Sequence, residues 1–390
     1  MRLNPVLTGL PTYPQVALDA RKARALAAGL TLYDFGTGDD HGATPPAVRR
    51  AVRDAVPEVS TYPKVAGSPE LRRAIARYFD RRFGVALDPS TQILPTSGSK
   101  ELVFHLPLLV IDAHAPDRTV VFPDPGYQAY VRGCLFAGGE PHAVPLGGDF
   151  VFRPWELPTE LLARTRLMWI NTPHNPTGAV TSLDQLARIH ALCRQHDILL
   201  VNDECYADIW IDKRPHSLLE VSTQGCLVVH SLSKRSGMTG YRSGFVAGDP
   251  QVMGWLRKLR VNPGVVPTDT MNAGAVVAWG DDAHVDQRRA EFTAKRRVME
   301  AFFRGEGMEI VASDATFYLW VRCPGGLDDK TYALALVDHG IVVCPGSTLG
   351  LTGSGAGYVR VALVPELDVC RAAVDVWRQA NREISGRSAG

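Results

Sequence analysis

The sequence predicts an α/β protein in which a large domain, with a mostly parallel central sheet flanked by helices, is joined to a smaller α/β domain. The chain has 390 residues, which is more than a single hydrophobic core usually holds. Several short apolar runs are followed by turn residues and then by a helical pattern, which is typical of parallel strands joined by helices. Roughly the last ninety residues repeat this alternation on a smaller scale. We predict a large domain over residues 46–285, with residues 1–45 as an N-terminal arm and part of the small domain, and residues 286–390 as the rest of the small domain.

Charge and composition favour a small-molecule partner. The 42 basic and 41 acidic residues give a net charge of +1, which offers no electrostatic reason to expect nucleic acid or an anionic membrane as a partner. No apolar run approaches the span of a bilayer, and the N-terminus lacks the apolar core of a signal peptide. Neither an H-E-x-x-H motif nor a P-loop is present. We therefore expect a cytoplasmic protein without a catalytic metal.

The seven cysteines are expected to be reduced and mostly buried. They are scattered singly, without C-x-x-C pairs, and their number is odd, which is typical of a cytosolic protein. Free cysteine usually behaves as a small buried hydrophobe. Cys205 is the exception to examine, because it directly follows the acidic pair Asp203 and Glu204.

The first hundred residues predict a helical arm, a short strand and a well-capped helix. Residues 15–28 are helical in pattern, and residues 32–38 read as a short strand that ends in glycines. Gly38 would let the backbone approach a ligand closely, although a plain turn explains it equally well. Ser68 is a good N-cap for the following amphipathic run, and Gly84 should end that helix.

Two further strand ends carry turns that suit a ligand. Ile93 and Leu94 lead into T-S-G-S-K-E, and we predict a helix that starts directly after this turn and runs through His105. Small residues at a strand-to-helix turn leave backbone N–H groups and the positive end of the helix dipole open to a ligand, which favours an anion. Residues 119–122 form a buried strand followed by D-P-G-Y, and Tyr127 could either stack on a flat ring or pack on the fold.

The next two strands end in an asparagine-rich turn and in an aspartate. Residues 167–171 lead into N-T-P-H-N-P-T-G, a turn made rigid by two prolines and containing Asn175. A capped helix is predicted over residues 182–196. Residues 198–202 lead into Asp203, which is costly at the end of a hydrophobic strand unless a cation accompanies it. The alternative for Asp203 is a helix N-cap.

Lys234 lies between two apolar runs, in the stretch from Cys226 to Gly248. Burial and a nearby cation would favour the neutral amine of a lysine, the form that attacks carbonyl carbons. Hydroxyl groups and an arginine in the same stretch could clamp an anion, most plausibly a phosphate. The alternative is that Lys234 and Arg242 are solvated loop charges.

Arg360 is the candidate substrate residue of the C-terminal unit. It lies in the strand Y-V-R-V-A-L between apolar neighbours, where an unpaired charge would be expensive. Arginine suits a carboxylate because its guanidinium group can donate two parallel hydrogen bonds, but a structural salt bridge is the alternative. The glycine-rich residues 350–357 precede this strand, and we expect a flexible loop near the substrate there. A final helix is predicted over residues 365–384.

Five motifs, in order over residues 30–370, resemble those of the fold-type I aminotransferases of class I and II, which use pyridoxal 5′-phosphate. They are Y-P-x-x-x-G, the S-G-S-K turn, N-P-T-G, D-E-x-Y, and S-x-S-K with its trailing G-x-R-x-G. The resemblance implies that Lys234 bonds the cofactor covalently and then moves a proton between the substrate and the cofactor. It also implies a homodimer with shared active sites, in which Tyr62 reaches the cofactor phosphate of the neighbouring subunit.

The same resemblance implies roles for the remaining residues. Asp203 would pair with the ring nitrogen, Asn175 and Tyr206 would bind the ring oxygen, and Tyr127 would stack on the ring. Arg360 would bind the α-carboxylate of an amino acid or 2-oxo acid substrate, alongside Gly38 and Asn175. The remaining implied cofactor contacts, mostly to the phosphate, are Ser99, Lys100, Ser231, Ser233 and Arg242.

Within the family, the sequence looks most like the N-succinyldiaminopimelate aminotransferases of lysine biosynthesis. S-L-S-K-R, with Arg235 after the lysine, and the run S-G-F-V-A-G-D carry this likeness. It implies glutamate as donor and 2-oxoglutarate as its product. Aspartate, alanine or aromatic aminotransferases remain alternatives, as does a C–S lyase, decarboxylase or racemase of the same fold. A cofactor-binding transcription regulator would need a DNA-reading extension, for which we find no room before residue 30.

Overall fold

A seven-stranded sheet lies at the centre of the fold in the computed structural model, which describes residue 1, residues 3–10 and residues 15–388. The thirteen strands of this described part are β1 (Tyr33–Asp34), β2 (Ile93–Thr96), β3 (Thr119–Asp124), β4 (Glu140–Pro145), β5 (Thr165–Asn171), β6 (Leu199–Asp203), β7 (Cys226–Ser231), β8 (Gly244–Gly248), β9 (Ile310–Val311), β10 (Tyr318–Arg322), β11 (Ile341–Val342), β12 (Cys344–Pro345) and β13 (Tyr358–Ala362). The order in the large sheet is β2-β8-β7-β6-β5-β3-β4. Strands β3 to β7 are mutually parallel, and only β8 runs against its neighbours.

Both faces of the large sheet are buried, which explains its continuous apolar strands. In β5, Met168 and Ile170 belong to the hydrophobic cluster on one face, whereas Leu167 and Trp169 belong to the cluster on the other. Side chains alternate between faces along a strand, so a strand covered on both faces needs apolar residues at nearly every position. The predicted α/β class with a mostly parallel sheet is therefore confirmed.

Fourteen α-helices in the described residues cover these faces and the second unit. They are α1 (Pro5–Gly9), α2 (Gln15–Ala27), α3 (Pro46–Asp54), α4 (Pro69–Phe83), α5 (Ser99–His105), α6 (Ala129–Phe136), α7 (Thr159–Arg164), α8 (Leu183–Gln195), α9 (Leu232–Arg235), α10 (Pro250–Arg260), α11 (Asp269–Gly280), α12 (Ala283–Gly305), α13 (Asp329–Val337) and α14 (Leu367–Ser388). The predicted caps of α4 are present: Ser68 accepts from the Leu71 amide at 3.1 Å, and Gly84 is left-handed with φ 68°.

A second sheet, in the order β12-β13-β10-β9, packs with α12, α13 and α14 around its own hydrophobic cluster. Strand β1 pairs with β11 in parallel, so the N-terminal segment joins this unit as well. The cluster gathers Phe35 and residues 292–384 but also takes in Tyr206 and Ile209. This grouping supports the domain boundaries near residues 45 and 285, which we retain as a proposal.

Local details differ from the sequence-based expectations. The strand predicted over residues 32–38 is only two residues long, Tyr33–Asp34. Helix α14 continues past residue 384 to Ser388. Residues 2 and 11–14, part of the predicted arm, lie outside the described residues.

The described residues contain no membrane span and no metal cluster. None of their helices is both long and apolar enough to cross a bilayer. The same residues contain no group of three or more side chains that could hold a metal ion. All seven cysteines are free thiols, and all are buried except Cys205, which is half-buried.

Candidate active site

The candidate residues gather at one edge of the large sheet. Strands β2, β3, β5, β6 and β7 run in the same direction, so their carboxyl ends meet there. They end at Thr96, Asp124, Asn171, Asp203 and Ser231. Ligands of open α/β sheets bind outside the carboxyl ends of the strands. In the large domain, every motif after residue 90 that the sequence indicated follows one of these strand ends or leads into β8 at the same edge.

Lys234 is presented by the four-residue helix α9, directly after β7. The Ser231 hydroxyl accepts a hydrogen bond from the Ser233 amide at 3.1 Å and caps this helix. The Lys234 ammonium donates to the carbonyl of Gly38 and lies 5.6 Å from the centre of the Phe317 ring. Lys234 is therefore a half-buried lysine held in a defined position by a backbone carbonyl, which argues against a freely solvated loop charge.

Tyr318 is a site residue that the motifs did not indicate. Its hydroxyl lies 2.9 Å from the hydroxyl of Tyr206, and both phenol rings are buried. A Cβ atom on Gly38 would collide with the same Tyr318 hydroxyl. Gly38 is thus required for close packing against a side chain, which explains the glycine better than a plain turn. A tyrosine in an apolar strand was a usable signal, because a buried hydroxyl needs a partner.

Asp203 is buried at the end of β6 and is surrounded by neutral donors. Its carboxylate accepts from the Tyr130 hydroxyl and from the Cys205 amide, each at 3.2 Å. Burial raises the pKa of Asp203 above its ordinary value, and these hydrogen bonds only partly offset the effect. No helix begins at Asp203, so the helix N-cap alternative is wrong. Tyr130, on α6, was not anticipated.

Cys205 is not an activated nucleophile. Burial raises the pKa of its thiol well above the ordinary value, and the neighbouring Asp203 carboxylate raises it further. The neighbouring Ser99 hydroxyl and the Lys234 ammonium lower the pKa of this thiol, but by less than burial raises it. Because the thiolate is the nucleophilic form, the structure assigns Cys205 a packing role between the turn at Ser99 and the aspartate.

Arg360 lies in β13 and contacts neutral groups. It donates to the Asn175 side-chain oxygen and to the Gly36 carbonyl, each at 3.1 Å. Its guanidinium lies 4.4 Å from the centre of the Tyr318 ring. Its Nε–H is buried and has no acceptor among the described residues. The salt-bridge alternative does not hold within this part of the chain, and the buried arginine retains its charge for an anionic ligand.

Ser97, Gly98 and Arg242 meet where α5 begins. Arg242 donates to the Thr239 carbonyl at 2.9 Å and to the Ser97 carbonyl at 3.3 Å. Gly98 has φ 77°, and a Cβ atom there would collide with the Arg242 guanidinium. The exposed Lys100 lines an open cavity of about 500 Å³ together with Ser97 and Arg242. This part of the edge is therefore basic and open to a ligand.

Tyr127 and Tyr62 differ in their surroundings. Tyr127 borders the same cavity, and its ring centre lies 5.7 Å from that of Tyr130 in an edge-to-face arrangement. Tyr62 is fully exposed, so the chain does not use it in its own site. His174 is buried in the turn before Asn175, and its ring bonds the Thr177 hydroxyl at 2.8 Å.

Known proteins resemble this chain over almost its whole length. A family model described as aminotransferase class I and II matches residues 30–375. The LL-diaminopimelate aminotransferase of Aquifex aeolicus is 32% identical over 363 residues, covering 91% of this chain and 92% of that enzyme. An aminotransferase structure from Neisseria meningitidis has a TM-score of 0.89 and 31% identity, covering 97% of this chain and 100% of its own. A probable N-succinyldiaminopimelate aminotransferase from Thermus thermophilus has a TM-score of 0.87 and 26% identity, covering 94% of this chain and 99% of its own.

Proposed function

The chain belongs to the class I and II aminotransferases and is an enzyme of the transaminase type, and from this premise we propose that it binds pyridoxal 5′-phosphate at the edge described above. It moves an amino group between an amino acid and a 2-oxo acid there. The observation that carries the proposal is that Lys234 and Arg360 donate to carbonyls of one short loop, at Gly38 and Gly36. A nucleophilic amine and a carboxylate-binding arginine thereby face a common space.

The residues at the edge fit the cofactor. Asp203 is a buried carboxylate with neutral donors, so a pyridinium nitrogen would supply the cation that such a group calls for. The open turn at Ser97 to Ser99 and the guanidinium of Arg242 suit a phosphate. The Tyr206 hydroxyl, which meets Tyr318, and the Asn175 side chain, which meets Arg360, would bind the ring oxygen. Lys100, Tyr127, Ser231 and Ser233 remain proposed cofactor contacts.

When bound, pyridoxal phosphate supplies a protonated ring that withdraws electrons from the substrate's α-carbon. Asp203 contributes the buried negative charge that keeps the ring nitrogen protonated. Arg360 binds and orients the substrate carboxylate, and its unsatisfied Nε–H gives it a donor to spare. The Lys234 amine, once free, would take the proton from the substrate's α-carbon as a general base and would deliver it to the cofactor's C4′ carbon as a general acid. Tyr318 and Phe317 exclude water from one side of this space.

The proposed substrate is a diaminopimelate, free or N-succinylated, with glutamate and 2-oxoglutarate as the other pair. The Aquifex aeolicus relative is an LL-diaminopimelate aminotransferase, and the Thermus thermophilus neighbour is a probable N-succinyldiaminopimelate aminotransferase. Both names contain diaminopimelate, which supports diaminopimelates as the substrate class. The names do not favour the free over the N-succinylated form. The proposal also includes a homodimer in which Tyr62 serves the neighbouring site, and a cytoplasmic location.

A spectroscopic and kinetic experiment tests the proposal. Purified protein with pyridoxal phosphate should be yellow and should lose that colour when a true amino donor is added. Replacing Lys234 by Ala should abolish turnover while phosphate contacts still retain part of the cofactor. A protein that takes up no pyridoxal phosphate, or a fully active Lys234→Ala variant, would contradict the proposal.

A donor panel identifies the substrate. LL-diaminopimelate, its N-succinyl form, aspartate, alanine and tyrosine are each supplied with 2-oxoglutarate, and glutamate formation is measured. We expect the highest kcat/KM with one of the two diaminopimelates. Highest turnover with aspartate would favour the aspartate aminotransferase alternative. Release of ammonia without an acceptor would instead indicate a lyase.

A further inference from the structure

Arg235, which directly follows Lys234, is a buried arginine whose role the proposed function leaves unassigned. Its side chain is about 3% exposed. The adjacent lysine points to the Gly38 carbonyl, whereas the arginine points into the large domain. Neighbouring residues of a helix project about 100° apart, so one short helix presents its lysine to the site and its arginine to the interior.

The guanidinium of Arg235 is bound on nearly every side. Its Nε donates to the Asp208 carboxylate at 2.8 Å, one terminal nitrogen donates to the Ala278 carbonyl at 2.6 Å, and the other donates to Asp282 at 2.5 Å. The rings of Tyr78 and Trp279 flank it, with centres 5.0 and 5.2 Å from its central carbon. A planar fork with five N–H donors satisfies this arrangement, whereas the point charge of a lysine cannot.

Asp208 connects this arginine to the cofactor end of the site. It belongs to the segment that follows β6, two residues after Tyr206 and five after Asp203. Its carboxylate also accepts from the Tyr78 hydroxyl at 2.9 Å and from Arg82 at 3.1 Å, both on α4. The segment that carries the aspartate and the tyrosine is therefore tied through Arg235 to the helix that carries the lysine.

The other contacts of Arg235 fix it to the junction between α11 and α12. Ala278 lies in the last turns of α11, and Asp282 immediately precedes α12. Arg81 shares this junction from the surface: it donates to Asp282 at 3.1 Å and to the Trp279 carbonyl at 2.9 Å, and its side chain is 39% exposed. The two arginines thus share the Asp282 carboxylate, but only Arg235 is adjacent to Lys234.

We propose that Arg235 is a positioning residue, which through Asp208 sets the distance and direction of Lys234 relative to Asp203 and Tyr206. The inference rests on the proposed function, because it assigns those residues to one cofactor. Displacement of a reacting group by about 1 Å can lower a rate by about 100-fold. A rigid link next to the lysine can therefore have a large effect on the reaction rate. Arg235 does not touch the substrate.

The test uses the full-length holoenzyme with Arg235→Lys and Asp208→Asn, and with Arg81→Lys as the matched control. Three quantities are measured for each: the melting temperature, the kcat and KM of the donor half-reaction, and the pH midpoint of the visible absorption band of the lysine-bound cofactor. The band midpoint reports the surroundings of the Lys234 nitrogen and does not depend on turnover. Reduction with borohydride and peptide mapping show whether Lys234 is still the attachment site.

We expect Arg235→Lys and Asp208→Asn to shift the band midpoint and to lower kcat about tenfold, with KM within about twofold of wild type. Arg81→Lys should change neither quantity. If Arg235→Lys does not fold, Asp208→Asn decides the result, because it removes the charge pairing of the same link from the other side. Variants that melt earlier but keep the wild-type midpoint and kcat would overturn the positioning role. A wild-type protein without the band would instead overturn the proposed function.

Discussion

Lys234 and Arg360 donate to backbone carbonyls of the same loop, at Gly38 and Gly36. These carbonyls are neutral, so they hold each side chain in place without neutralising its charge. The aromatic ring of Phe317 lies beside Lys234, and that of Tyr318 lies beside Arg360. Charge interactions are stronger in such poorly solvated sites than in water. We therefore expect single-residue changes in this loop and in the tyrosine to act on substrate binding and turnover more than on folding.

Replacing Gly38 by Ala tests the packing of that loop against Tyr318. The new methyl group would collide with the tyrosine hydroxyl and push the ring away from Tyr206 and Arg360. We expect kcat/KM to fall by at least about tenfold, or about 1.4 kcal/mol of transition-state stabilisation.

Adding Tyr318→Phe to Gly38→Ala should restore part of this loss. Removing the hydroxyl leaves the ring carbon at 3.1 Å as the nearest atom to the new Cβ, which is tight but tolerable. Steady-state kinetics of both single variants and the double variant measure the coupling. Gly254→Ala is the control, because nothing lies within 4 Å of its Cβ position. Additive losses in the double variant would contradict the predicted contact.

His174 predicts a pH dependence of stability. Burial lowers its pKa to about 4, whereas the unfolded chain protonates near the ordinary value of 6.5. Between these values the unfolded state binds more protons, so stability falls as the pH falls from 6.5 to 4. The group accounts for roughly 3 kcal/mol over that range.

Urea denaturation of wild type and His174→Asn at several pH values between 4 and 6.5 measures this contribution. The asparagine variant should show the smaller loss on acidification, because it has no imidazole to protonate in the unfolded state. His114→Asn, at an exposed position, controls for removing a histidine as such. Equal pH slopes for wild type and His174→Asn would show that His174 is not the cause.

Among the secondary-structure elements, the loop from Gly350 to Ser354 is held more firmly than its glycines suggested. Asp124, at the end of β3, accepts from the amides of Leu351 and Thr352 at 2.8 and 2.9 Å and from the hydroxyls of Thr352 and Ser354 at 2.6 and 2.8 Å. The expectation of a flexible loop was wrong for this segment. Glycines there let backbone amides approach a carboxylate, which gives them a binding role.

Replacing Asp124 by Asn should release this loop. The asparagine –NH₂ group is a donor and would face the amides and hydroxyls of the loop, which are donors too, so several of these hydrogen bonds are lost. We expect the free energy of unfolding to fall by roughly 2–3 kcal/mol. Because the loop leads into β13, the KM of the amino donor should also rise through Arg360. Ser354→Ala, which loses a single bond, should have a smaller effect on both quantities.

Limited proteolysis with mass spectrometry locates the change caused by Asp124→Asn. Cleavage between residues 350 and 357 should be faster than in wild type, because local opening exposes the backbone to the protease. Unchanged cleavage at these residues, together with wild-type KM, would show that Asp124 does not secure the loop.

At the scale of the whole molecule, the site lies where the two hydrophobic units meet. Lys234 follows a strand of the large sheet, Arg360 belongs to the second sheet, and the segment from Gly36 to Gly38 bridges them. The bridging segment is anchored on both sides: the Phe35 amide donates to Val342 at 2.8 Å, and the Thr44 hydroxyl donates to Gly237 at 2.7 Å. Relative movement of the units would therefore separate the lysine from the arginine.

The proposed dimer can be tested by mixing two defective proteins. Tyr62 is fully exposed, and Val56 and Val59, which are close to it in sequence, are exposed as well, which supports a contact between subunits. If Tyr62 serves the neighbouring site, a mixed dimer of Lys234→Ala and Tyr62→Ala subunits contains one site with both residues intact. After subunit exchange, we expect up to about a quarter of wild-type activity. No gain over the separate variants would contradict a shared site that depends on Tyr62.

The sequence alone determined the fold class and the positions where ligand-binding turns begin. These signals are local: an apolar strand such as residues 167–171 is followed at once by its turn, and a helix such as α4 carries its own caps. The comparisons confirm the family that the five ordered motifs indicated. The roles of the individual residues within the site remain proposals.

Only the tertiary structure decided which residues meet across the chain. Tyr206 binds Tyr318, Asp124 binds the loop after Gly350, and Arg235 binds Asp208. Hydrophobic periodicity shows which face of an element is buried, but it does not show which element lies opposite. That choice depends on sheet order and register. These place Lys234, which follows the large sheet, and Arg360, which belongs to the second sheet, at carbonyls of the same loop.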